Sequence, residues 1–133
     1  MNISRRFIAA AVYPLAKIYQ HLFPGIRILM YHRIANFTSY DQLVVTPARF
    51  EQQMSYLHKH YRVISLSQAI DELKKGNIQS GVVVTFDDGY LDNLQNALPI
   101  LKKYNISATI FVTTTFCDQS TSHSRYSNDK QRV

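Results

Sequence analysis

The chain is predicted to be an α/β protein with parallel strands and helices outside, and three observations carry that prediction. Val82-Val83-Val84-Thr85-Phe86 is a continuous apolar, β-branched run, the pattern of a strand buried on both faces in a helix-covered parallel sheet. The run ends in Asp87-Asp88-Gly89. Asp is disfavoured inside strands, so the carboxylate pair marks the strand's C-terminal edge, where ligands and chemistry gather in parallel α/β folds. Two further strand-like stretches, residues 28–34 and 108–114, are separated from this one by segments of helical spacing.

The elements follow in order. Arg5 and Arg6 precede an apolar run over residues 7–13 that Pro14 interrupts and Lys17 ends, too short to span a bilayer. No small-x-small cleavage site follows it. Ile3, Phe7, Ala11, Leu15, Ile18 and Leu22 recur at steps of three and four, so residues 1–24 read as a basic amphipathic leading segment, kinked at Pro14. It is expected to pack on the domain that follows, or to make a peripheral membrane contact or serve as an uncleaved anchor or signal. Phe23-Pro24-Gly25 is a break before the first strand, and residues 35–43 form a polar loop on the catalytic rim. Thr46 is a helix N-cap with Pro47 at the first helical position, and this helix runs to about His60 with Phe50, Met54 and Leu57 inward. Residues 61–66 read as a short second strand. Ser67 caps a second helix that holds Ala69, Ile70 and Leu73 and ends at Gly76. After the Asp pair comes a helical stretch to about Tyr104, in which Pro99 begins a turn, and then the strand over 108–114. Residues 25–116 form the domain. Residues 117–133 are polar and are expected to be disordered, having too little apolar surface to offset their ordering entropy.

At 133 residues and 46% hydrophobic content the chain has room for one core. A closed (β/α) barrel takes about 200 residues or more. The lone Cys117 excludes an internal disulfide and, with no basic neighbour in sequence, reads as inert. A net charge of +6 and a pI near 9.6 favour anionic surroundings, but Lys and Arg are scattered and no nucleic-acid-binding signature is present, so nucleic acid is not an expected partner. Two other Asp-bearing classes are disfavoured. A phosphoacceptor receiver domain needs later apolar strands ending in Asp and Lys, and a haloacid-type phosphatase needs Asp-x-Asp.

Thr85-Phe86-Asp87-Asp88-Gly89-Tyr90 resembles the first motif of the polysaccharide deacetylase family (carbohydrate esterase family four, with the nodulation-deacetylase homology domain). Ile28-Leu29-Met30-Tyr31-His32-Arg33-Ile34 is similar to the family's first barrel strand with its Tyr-His pair. Residues 45–57 are similar to its first helix, and residues 97–112 to the helix and strand after the Asp pair. The similarity runs from about Ile28 to about Phe116 and implies an incomplete (β/α) barrel of the polysaccharide deacetylase type.

The resemblance implies a hydrolase that removes N-acetyl groups from the amino sugars of a surface polysaccharide or oligosaccharide. It implies a divalent metal, usually zinc, bound by Asp88, with Asp87 as the catalytic base. The Tyr90 backbone N–H is a candidate oxyanion donor, and His32 is expected to face the same rim. The family's second motif, His-(Ser/Thr)-x-x-His, is not found after Asp88: His123-Ser124-Arg125-Tyr126-Ser127 has Ser127 where the second His belongs. Metal binding is therefore expected to be weak or absent, and the chain is expected to be the front part of a deacetylase, cut short. The alternative is a catalytically inactive remnant with at most a carbohydrate-binding or membrane-associated role. The site of action is expected at the cytoplasmic face of the inner membrane or in the cell envelope. His21, His58 and His60 read as structural or solvated.

Overall fold

The computed structural model describes residues 24–36 and 42–114. The expectations for residues 1–23, for Cys117 and for the polar tail lie outside the described residues. Five strands run in chain order: β1 (Ile26–Tyr31), β2 (Arg33–Ile34), β3 (Val44–Val45), β4 (Gly81–Asp88) and β5 (Ala108–Val112). Helix α1 (Pro47–His60) follows β3, α2 (Leu66–Lys74) precedes β4, and a π-helical turn (Asn93–Ala97) leads into α3 (Leu98–Lys103).

The main sheet has the order β1-β4-β5, parallel throughout. β4 is central because its first six residues are buried on both faces, as the valine run predicted. Alternate side chains of the sheet serve two cores. Leu29, Tyr31, Val82, Val84 and Phe86 meet Phe50, Met54 and Leu57 of α1 and Ala97 and Leu101 beyond β4. Fully burying an apolar side chain of this size stabilises by about 1.5–3 kcal/mol. Val83 faces the other way and packs with Ile64 and Ala69. The two-stranded sheet β2-β3 is also parallel, pairing Arg33 with Val44 and Ile34 with Val45. Parallel strands with their intervening helices form the section of an incomplete (β/α) barrel that the sequence predicted.

Helix α1 has the predicted bounds. Thr46 Oγ1 accepts from the Arg49 N–H at 3.4 Å, with Pro47 opening the helix. Pro99 stands in the first turn of α3, also as predicted. Three expectations are corrected. The first strand breaks at His32 into β1 and β2, because Arg33 and Ile34 leave β4 to pair with β3. Residues 61–66 form no second strand, only an isolated parallel bridge from Val63 to Val82. The cap of α2 is Ser65, whose Oγ accepts from the Gln68 N–H at 3.1 Å, while Ser67 lies inside the helix and meets Ser65 Oγ at 3.0 Å. A cap residue has extended backbone and stands two or three residues before the N–H it satisfies, and Ser65 meets both conditions. Of the three apolar residues that α2 holds, Ala69 is buried, and Ile70 and Leu73 are exposed.

Candidate active site

The C-terminal ends of β1, β4 and β5 form one rim. Pairing between β1 and β4 ends at Tyr31↔Phe86, so His32 and Asp87 each stand one residue past the last pair. Asp87 lies across from Phe111 and Asp88 from Val112 in the β4–β5 register. Side chains alternate along a strand. Tyr31 therefore goes into the core, its ring 5.1 Å from Phe50 and 5.6 Å from Phe86, and its hydroxyl donates to Gln53 Oε1 at 3.0 Å. Burial pushes the Tyr31 phenol above its ordinary value. His32 takes the opposite direction. Its Nε2 lies 3.9 Å from Asp87 Oδ2, with the two side chains 19% and 31% exposed, open enough for a ligand to reach them. That separation is within ion-pair range and long for a hydrogen bond.

Asp88 is built differently from its neighbour. Its φ is +68° and that of Gly89 is +69°, two left-handed residues in succession. Asp is among the few non-glycine residues that adopt this region with any frequency, and Gly has no Cβ to clash there. The chain therefore turns sharply at the sheet edge and sends the two adjacent carboxylates to different neighbours. Asp87 faces His32, and Asp88 Oδ1 accepts from Thr113 Oγ1 at 3.4 Å on the β5 side. Tyr90 is buried rather than on the rim, its ring under the Arg33 guanidinium at 4.6 Å. Its side chain belongs to the packing, and only its backbone bears on the expected oxyanion role.

Two functional candidates were missed from the sequence. Arg33 and Asp92 are 5% and 3% exposed and form a buried ion pair, Arg33 Nε to Asp92 Oδ2 at 2.9 Å. The second carboxylate oxygen accepts from the Ile34 N–H at 3.0 Å. A signal was present. Arg33 is a cation within an apolar strand-like run and needs a partner if buried, and Asp92 is the only acidic residue between Asp88 and Asp118. Removing one partner of such a pair costs about 3–5 kcal/mol, because the other charge is left uncompensated.

Among the described residues no group of three or more His, Cys, Asp or Glu side chains converges on a point that could hold an ion. A catalytic zinc takes about three protein ligands, so Asp88 and its described neighbours do not by themselves fit one. His123 lies outside the described residues. His58 and His60 stand away from the rim beside aromatic rings, His60 4.5 Å from Tyr56 and His58 6.0 Å from Tyr104.

A parallel barrel section with an Asp-Asp-Gly turn at a strand end is the class of site these elements define, and comparison makes the class specific. The profile of the family described as Polysaccharide deacetylase matches residues 74–130. The Bacillus subtilis protein YxkH is 43% identical over 89 residues, 64% of this chain and 30% of its own length. The poly-beta-1,6-N-acetyl-D-glucosamine N-deacetylase of Staphylococcus aureus is 38% identical over 72 residues, 53% of this chain and 25% of its own. In the solved structure of the Streptococcus pyogenes deacetylase PplD, in complex with acetate, the similar part superposes with a TM-score of 0.64 at 32% identity. It covers 76% of this chain and 49% of that one. The chain belongs to the polysaccharide deacetylase family. It spans less than a third of the length of these curated relatives. Members of this family are generally metal-dependent.

Proposed function

We propose that this rim is the base-bearing part of a carbohydrate N-deacetylase that removes N-acetyl groups from the amino sugars of a surface glycan. The observation that carries the reading is the Asp87–Asp88 pair at the end of β4, with His32 3.9 Å from Asp87. Asp87 is the general base: it takes the proton of the water that attacks the acetamide carbonyl. His32 stands beside the Asp87 carboxylate, its Nε2 3.9 Å from Oδ2. The N–H of Tyr90, at the turn after Gly89, is the oxyanion donor. As the tetrahedral centre collapses, the proton held by Asp87 passes to the departing nitrogen and the C–N bond breaks, which yields acetate and the sugar amine. Asp88 is the one described residue assigned to a divalent metal, zinc by the family's habit. A single carboxylate does not hold a catalytic ion, and no step is assigned to it.

The likeness to a poly-beta-1,6-N-acetyl-D-glucosamine N-deacetylase supports an N-acetylated polymer as substrate. The basic amphipathic pattern of residues 1–23 supports a peripheral membrane contact, on the cytoplasmic face of the inner membrane or in the envelope, and co-sedimentation with anionic vesicles tests it.

The functional test has two readouts on the purified 133-residue chain. N-acetylglucosamine oligomers should perturb the NMR signals of His32, Asp87 and Asp88 first; perturbation confined to residues away from this rim, or none, refutes the reading. Acetate release with added zinc or cobalt should stay at the uncatalysed rate. Metal-dependent turnover that disappears in Asp87→Asn would uphold the base and overturn the expectation of inactivity, by showing that other residues of the chain complete the centre.

A further inference from the structure

Arg33 and Asp92 take no part in the proton transfer described above, yet both are almost fully buried beside it. We propose that they are positioning residues, a clamp that holds the His32 corner against the Asp87–Asp88 turn and sets the His32–Asp87 separation. The functional meaning of the clamp rests on the deacetylase reading; its geometry does not.

The sheet alone does not fix this distance. β1 and β4 stop pairing at Tyr31↔Phe86, one residue short of His32 and Asp87. Beyond that point the first chain leaves to pair with β3, and the second turns through two left-handed residues. The two ends would diverge without a tie. Asp92, four residues after Asp88, supplies it. Its two oxygens accept from Arg33 Nε at 2.9 Å and from the Ile34 N–H at 3.0 Å, the two residues directly after His32. Asn96, one turn further on, donates Nδ2 to the Ile34 carbonyl at 2.7 Å. From the other side the Arg33 guanidinium covers the Tyr90 ring at 4.6 Å, and Tyr90 directly follows Gly89.

Each contact joins the segment just after His32 to the segment just after Asp88. A pair serving stability alone needs only burial and charge balance, and apolar residues of similar volume often replace such a pair without loss. Here one carboxylate holds both a side chain and the adjacent backbone N–H of the same corner, which defines position as well as charge.

The experiment compares the wild-type chain with Arg33→Met/Asp92→Leu by NMR. Removing both charges avoids leaving one buried alone. In the wild type the Ile34 amide should exchange as slowly as that of Val84 in β4, and His32 ring protons should show a nuclear Overhauser effect to Asp87. In the double variant the Val84 amide reports whether the sheet is intact. With it intact, the His32–Asp87 effect should vanish and Ile34 exchange should rise roughly three- to tenfold, the size of one ordinary hydrogen bond. Should the sheet not form, Asn96→Ala releases the Ile34 carbonyl without stranding a charge and should weaken the same effect in the same direction. A variant with an intact sheet that keeps the wild-type His32 ring shifts and the contact to Asp87 overturns the proposal, as does rapid exchange of the Ile34 amide in the wild type. Neither readout uses acetate release or metal, so failure of the clamp and failure of the deacetylase reading are seen separately.

Discussion

Replacing Gly89 by Ala tests how the Asp88 turn is held, because the chain supplies its own control. Gly89 has φ +69° and Gly76 has φ +65°. An L-residue in this region costs about 1–2 kcal/mol, so both substitutions carry nearly the same backbone strain. Their surroundings differ. A Cβ at Gly76 meets nothing within 4 Å, whereas one at Gly89 lies 3.3 Å from Val112 Cγ2 and 3.4 Å from Cγ1. Val112 must turn away, and an off-rotamer side chain costs about 0.5–1.5 kcal/mol. Gly76→Ala should therefore lose about 1–2 kcal/mol and Gly89→Ala about 1.5–3.5 kcal/mol. With a urea slope of about 1–3 kcal/mol per molar, the midpoint falls by roughly half a molar in the first and about one molar in the second. The Val112→Ala background should erase the difference, giving a coupling of about 0.5–1.5 kcal/mol in a double-mutant cycle. Because Val112 adjoins Thr113, which donates to Asp88 Oδ1, the Asp88 signals should move in Gly89→Ala and not in Gly76→Ala. Equal losses at the two glycines, or no coupling to Val112, would refute this account of the turn.

Three further outcomes follow from the charges and the sheet edge. The Arg62 guanidinium holds the Glu72 carboxyl below its ordinary 4.5; a depressed folded value contributes stability above 4.5 that is lost as pH falls through the folded value. Arg62→Met should therefore flatten the acid limb of a urea-midpoint profile, and an unchanged limb would contradict the pairing. Burial raises the Tyr31 phenol above 10.0, so its contribution is complete below pH 10.0 and lost as pH rises through the raised value. Alkaline unfolding should coincide with a step in phenolate absorbance that Tyr31→Phe removes, and a step that persists in Tyr31→Phe would assign it to another tyrosine. On β5, Ile110, Phe111 and Val112 are 47%, 52% and 53% exposed, an apolar strand of the kind that self-associates. Phe111→Lys should lower hydrophobic-dye binding and the sedimenting mass with little change in the urea midpoint, and unaltered self-association would remove β5 as the cause.

The sequence by itself determined the parallel class and the place of the carboxylates. A short, β-branched valine run with no polar alternation and a carboxylate pair at its end fits a strand covered on both faces, and β4 is that strand. Thr46-Pro47 and the apolar spacing of Phe50, Met54 and Leu57 likewise determined α1, because capping and burial there agree within one helical segment. The family was legible for the same reason: its first motif is contiguous. Where the reading failed, short segments were competing for partners. Residues 61–66 have a strand's composition, yet Val63 bridges to Val82 alone, and Ser65 rather than Ser67 meets the N–H that opens α2. Only the tertiary structure decided which side chains meet across long sequence separations. His32 reaches Asp87, and Arg33 reaches Asp92 fifty-nine residues away. Local pattern states that a buried arginine needs a carboxylate, but the packing of β2 against the helix after β4 chooses which one, because desolvation penalises every arrangement that leaves either charge unpaired.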